Sequence, residues 1–157
     1  MRFTLINNIK QDSAMRLILT GFLVFILIYL ISDITVKYSS FGLFSDKINI
    51  TLFGSEEEYI DPITKASFLE FWHTEIFFIM MILLTLSAVF IRLAKKSRIL
   101  VTNTVMISAI ISLIALALSY FISPFFVAVY IAAYFLWHIT ALYMILYSLW
   151  KLYDKSI

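Results

Sequence analysis

Cysteine is absent from the 157 residues. That absence removes disulfides, thiol catalysis and thiolate metal ligands, and with them any likeness to four-helix membrane thiol oxidoreductases. Charge is scarce as well: 14% of residues are Asp, Glu, Lys or Arg, where soluble domains carry about a quarter. The net charge of +2 gives no reason to expect a nucleic-acid partner. Histidine occurs twice and proline twice, and both prolines fall where a turn or a helix start is expected, so no long apolar run is interrupted. What remains is 62% hydrophobic, the composition of an integral membrane protein.

Four apolar segments are long enough to cross a bilayer, and the chain has room for one compact helical bundle and no separate soluble domain of ordinary size. The expected fold is all-α, a four-transmembrane-helix bundle forming a single membrane domain over 1–157. Helices are predicted near 15–35, 62–95, 99–121 and 125–153, with one structured extracytoplasmic loop over 36–61. The first run, from Leu17, is also as long as a signal-peptide core. No small-x-small cleavage pattern follows it, so it is read as a retained helix, with Asp12 or Ser13 as its cap.

Within the loop, Ser45 followed by DKINITLF and Gly54 suggests a short capped helix, although the β-branched residues would also suit an extended segment. Ser55 and Glu58 have capping-box spacing. Asp61-Pro62 reads as the start of the second spanning helix. In the third, Ser108, Ser112, Ala115 and Ser119 fall on one narrow stripe that would admit a close neighbour. Ile122-Ser123-Pro124 is a minimal turn, so the third and fourth spans are predicted to be antiparallel neighbours. Ala128 and Ala132 offer a small pair on the fourth.

Lysine and arginine are unevenly divided between the two sides. Arg2, Lys10, Arg16, Arg92, Lys95, Lys96, Arg98, Lys151 and Lys155 lie on the side of the termini, and Lys37, Lys47 and Lys65 on the other. This places both termini in the cytoplasm and the loop outside, in a multi-pass protein of the cell inner (cytoplasmic) membrane or its equivalent.

Few residues could carry chemistry. His73 and His138, on different spans, resemble the axial pair of four-helix b-type cytochromes in architecture. Counted from the cytoplasmic ends of their helices, however, they differ in depth by roughly 9 Å, so a shared haem would require strong helix tilt. Glu70 and His73 have the i, i+3 spacing used by di-iron carboxylate bundles, and with a loop carboxylate they form a candidate metal site. Glu75 projects about 200° away from His73 and lies about 25 Å from the level of Arg92, just inside the hydrocarbon edge, where ionisable groups are functional candidates. A solvated or loop-bracing role suits Glu70, His73 and Glu75 equally. His138 lies near mid-bilayer and is expected to hydrogen-bond Ser112, Ser108 or Tyr134 and so join the last two helices.

Three functions compete. The first is a non-catalytic accessory or scaffold subunit that contacts the lipid bilayer and other membrane subunits. The second is a redox protein binding haem b, quinone or a divalent metal through His73, Glu70 or His138. The third, a transporter or channel, finds no internal repeat, broken helix or continuous polar face in the sequence.

Overall fold

The computed structural model describes residues 12–94 and 98–154. Of the residues discussed above, the lead-in before Asp12, together with Lys95, Lys96 and Lys155, lies outside them. The chain is an all-α bundle of four membrane-spanning helices with one short extra helix. The elements are α1 Ser13–Ser40, α2 Ser45–Phe53, α3 Lys65–Leu93, α4 Arg98–Phe121 and α5 Phe126–Tyr153. Among the described residues the only β pairing is an isolated antiparallel bridge between Ser55 and Ile60.

α1 begins where its cap dictates. Asp12 is extended, and its Oδ1 accepts from the amides of Ala14 and Met15, satisfying two of the free N–H groups of the first turn. The helix continues past position 35 to Ser40, so Lys37 is helical rather than part of the loop. α2 is the short helix expected from Ser45. It ends at Gly54, whose φ of 79° suits glycine, and a Cβ there would lie 2.8 Å from the carbonyl oxygen of Ile60.

Ser55 does accept from the amide of Glu58, but the segment is a tight turn closed by the Ser55–Ile60 bridge and not a helix start. α3 starts later than the Asp-Pro pair suggested, with Thr64 as its cap accepting from the amide of Ser67. The carbonyl of Ile63 is bonded by the Tyr120 hydroxyl of α4 at 3.3 Å, and Phe68 stacks on Tyr120 at 4.1 Å between centroids. These contacts fix the α3 entry against the far end of α4.

α5 packs against every other helix. Its buried residues recur every three or four positions, from Val127 through Tyr134, His138 and Ala141 to Leu152, which is the period of one helix face. The buried stripe of α4 contains Ser108, Ser112, Ala115 and Ser119 and packs closely on α5. Ala128 and Ala132 do not meet it. They sit on the exposed side of α5, because the inward face begins at Val127 and continues at Tyr130 and Tyr134.

The α4 serines bond back to carbonyls of their own helix, Ser112 to Ala109 at 2.8 Å and Ser119 to Leu116 at 2.7 Å. α1 is the peripheral member. Its buried residues are Leu23, Ile26, Leu30 and Lys37, and much of its apolar surface, including Phe25, Ile28 and Ile31, faces outward as lipid-facing residues do. Contacts between Tyr153 and both Thr20 (3.0 Å) and Arg16 tie it to α5 near the terminal end.

Candidate functional site

A set of ionisable side chains drawn from three helices meets inside the bundle, nearer the end that carries α2. Asp33 and Lys37 are one turn apart on α1 and therefore share a face. Lys37 reaches back toward the helix N-terminus, as long side chains in helices do. Its ammonium donates to Asp33 Oδ1 at 2.8 Å and to Glu75 Oε2 of α3 at 2.7 Å. It also stands 5.1 Å from the centroid of the Tyr134 ring and 6.0 Å from that of Phe71.

The other oxygen of Asp33, Oδ2, accepts the Tyr134 hydroxyl at 2.9 Å and lies 3.1 Å from Nε2 of His138, both on α5. Nδ1 of His138 is 3.1 Å from the backbone carbonyl oxygen of Tyr134. Lys37 is 2% exposed and His138 4%. An ammonium so buried persists only when acids answer it.

The depth of the cluster follows from the helix rise. Counted from the helix ends nearest α2, Asp33, Glu75 and His138 lie about 10, 15 and 18 Å down their helices. In a span of this length they are within the hydrocarbon layer, where ionisable groups are costly unless they pair. Each of the five side chains is engaged by another. The aromatic surroundings, with the Trp137 ring 3.7 Å and the Tyr134 ring 4.1 Å from the His138 ring, keep the group in a low-polarity pocket.

The residues singled out in the sequence separate into two groups. Glu75 and His138 belong to the cluster, linked through Lys37 and Asp33. Glu70 and His73 do not: both are exposed on the outer turns of α3, and neither makes a side-chain hydrogen bond or ion pair with another described residue. The roughly 200° rotation between His73 and Glu75 is what divides them, one pointing out of the bundle and the other in. Among the described residues no three His, Asp or Glu side chains are gathered as a metal-ligand set. His138 does bond to Tyr134, through the backbone carbonyl, but not to Ser108 or Ser112, whose hydroxyls stay on their own helix. It therefore ties α5 to α1 instead of to α4.

Ending the first helix near 35 makes Lys37 a loop cation, while Asp33, inside that expected helix, carries no assigned role. Their i, i+4 spacing at the end of an apolar run was the available signal.

Residues 42–156 match a protein family, Aq_1264_TM, described as a transmembrane helical domain. No curated protein and no solved structure matches the chain. The matched stretch includes Glu75, Tyr134 and His138, while Asp33 and Lys37 precede it. With most of its length matched and four helices long and apolar enough to span a bilayer, the chain is a multi-span integral membrane protein and belongs to the Aq_1264_TM transmembrane helical domain family.

Proposed function

We propose that the protein is a non-catalytic accessory or scaffold subunit of a larger assembly in the cytoplasmic membrane, built as a single membrane domain. The observation that carries this reading is the closure of the buried cluster. Asp33, Lys37, Glu75, Tyr134 and His138 are engaged with one another across three helices, which is the arrangement of a fastening.

The polar features offered to a partner lie elsewhere, on the turn after α2. That turn is closed by the Ser55–Ile60 bridge and presents Glu56, Glu57, Glu58 and Tyr59 outward. Tyr59 is 96% exposed and holds a φ of 54°. A left-handed backbone costs a non-glycine residue about 1 to 2 kcal/mol, and such strain clusters at functional sites.

The charge distribution supports termini in the cytoplasm and the loop outside. Arg16, Arg92, Arg98 and Lys151 lie toward the terminal end, and Lys47 and Lys65 toward the other. Lys37 drops out of the count, because its charge is answered inside the bundle. A reporter active only outside the cytoplasm should work when inserted near Gly54 and fail near Lys96 or at Ile157; the reverse pattern contradicts the orientation.

The assembly itself is tested by native electrophoresis of the tagged protein taken from its own membrane. It should migrate with other membrane subunits in fixed ratio, and Tyr59→Ala combined with Glu57→Lys should release it. A protein that migrates alone before and after substitution contradicts the scaffold reading. The competing redox reading draws on Glu70 and His73, which stand on one exposed stripe without a side-chain partner among the described residues. It predicts stoichiometric metal, or a haem Soret band lost in His73→Ala or His138→Ala. The scaffold reading predicts neither.

A further inference from the structure

Both ring nitrogens of His138 face oxygen atoms. Nδ1 is 3.1 Å from the Tyr134 carbonyl oxygen, which only accepts. A neutral imidazole has one N–H, which can sit on Nδ1 or on Nε2 but not on both. Nε2 is 3.1 Å from Asp33 Oδ2, and that oxygen already accepts the Tyr134 hydroxyl at 2.9 Å. With a neutral ring and an ionised carboxylate, lone pairs would therefore face each other across one of the two contacts. One further proton, on the ring or on Oδ2, lets both contacts be hydrogen bonds.

Counting charge also calls for one added proton in the cluster. Lys37 contributes one positive charge, and Asp33 and Glu75 contribute two negative ones. A neutral His138 would leave a net negative charge inside the hydrocarbon layer, where an uncompensated ion is heavily penalised. One added proton makes the cluster neutral as a whole.

The groups that face the contact are few. α1 brings Tyr29, Asp33 and Lys37, α3 brings Glu75, and α5 brings Tyr130 and Tyr134 beside His138. Among the described residues α2 and α4 add no titratable side chain that interacts with it.

We propose that the contact between His138 Nε2 and Asp33 Oδ2 is a binding site for a single proton inside the membrane span, and that occupancy of this site holds α1 against α5. Binding adds a proton to Nε2, or equivalently to Oδ2, and breaks no covalent bond. Release returns it to water and leaves one N–H for two acceptors, the Tyr134 carbonyl and Asp33, so that one of these contacts loses its hydrogen bond. The site goes beyond a fixed fastening, because it makes the attachment of α1 depend on the proton activity that reaches it.

Nitrogen NMR of the histidine-labelled full chain in lipid nanodiscs reads the proton directly. His73→Gln serves as the background, so that one histidine remains. At pH 7 the ring should show both nitrogens protonated, or else one protonated nitrogen together with the infrared carbonyl band of an un-ionised Asp33 that vanishes in Asp33→Asn. A singly protonated ring beside an ionised Asp33 overturns the proposal.

Asp33→Asn supplies the second arm, since Lys37 and Glu75 then balance each other and the amide can turn its NH2 toward Nε2. The His138 ring should become singly protonated at pH 7; a ring that stays doubly protonated contradicts the role given to Asp33. Raising the pH until the parent loses the proton should lengthen the distance between spin labels on exposed Ile28 of α1 and Leu142 of α5. The distance between labels on α4 and α5 should not change. An α1–α5 distance that ignores the loss of the proton removes the coupling from the proposal. Should Asp33→Asn fail to fold, the NMR and distance measurements on the parent decide alone.

Discussion

α4 and α1 are both fastened to α5, by opposite means. α4 presents Ser108, Ser112, Ala115 and Ser119 as a smooth buried stripe, and its hydroxyls return to carbonyls of their own helix. What holds it is close van der Waals contact along the helix. α1 buries little and turns most of its apolar residues outward, yet its Asp33 and Lys37 enter a cluster shared with α3 and α5. In lipid an apolar surface gains nothing by leaving its surroundings for another apolar surface. A thinly packed helix is therefore secured by polar groups that have no alternative partner in hydrocarbon, and a well-fitted helix needs none.

The largest effect should come from removing the cation. Lys37→Met leaves Asp33 and Glu75 with one positive charge too few, and breaking a buried ion pair from one side costs about 3 to 5 kcal/mol. Unfolding in mixed micelles measures it, and the loss should be confined to α1, visible as easier proteolysis of that helix while α4 and α5 stay paired. Next is the interface of the opposite kind. Ala115 is buried at 2% exposure on the stripe of α4, and Ala115→Leu should cost about 1 to 3 kcal/mol through overpacking. That variant should separate α4 from α5 and leave the Lys37–Glu75 contact intact. An equal effect of either substitution on both interfaces would show that the two are not distinct.

Much of this architecture was legible from residue patterns. Four apolar runs set the number of spans, the small-residue stripe identified the packed face of α4, and Gly54 marked the end of α2. The cluster was legible only in part. Glu75 and His138 stood out as polar residues at membrane depth, but neither residue type nor spacing says which helices become neighbours. The missing partners sat on α1, where Asp33 and Lys37 resemble the polar margin of a span until the helix is carried on to Ser40. The two histidines also differ in burial, His73 exposed on α3 and His138 inside the bundle. Ala128 and Ala132 misled because a small pair carries no information about which side of its helix faces inward.

Smaller effects sharpen the contrast between the two fastenings. Ser112→Ala should change stability by about 0.6 kcal/mol or less, the usual size of a hydrogen bond within a membrane bundle, because its hydroxyl bonds only to the carbonyl of Ala109. A loss several times larger would reveal a contact between helices at that position. His73→Gln should be smaller still, within about 0.5 kcal/mol as for other exposed positions. Neither the parent nor the variant should carry stoichiometric metal; metal present in the parent that disappears in His73→Gln and in Glu70→Gln would replace the scaffold reading with a metal-binding one.

The central claim is that α1 is held by mutual charge compensation within the cluster, and a double-mutant cycle on Lys37 and Glu75 tests it most directly. Stability is measured for the parent, Lys37→Met, Glu75→Gln and the pair together. Removing both partners leaves Asp33 and His138 to balance each other, so the double variant should recover most of the loss seen in Lys37→Met. The expected coupling is about 2 to 3 kcal/mol, at the upper end for residues in contact. Losses that simply add would mean that the two charges do not compensate one another, and would contradict the account.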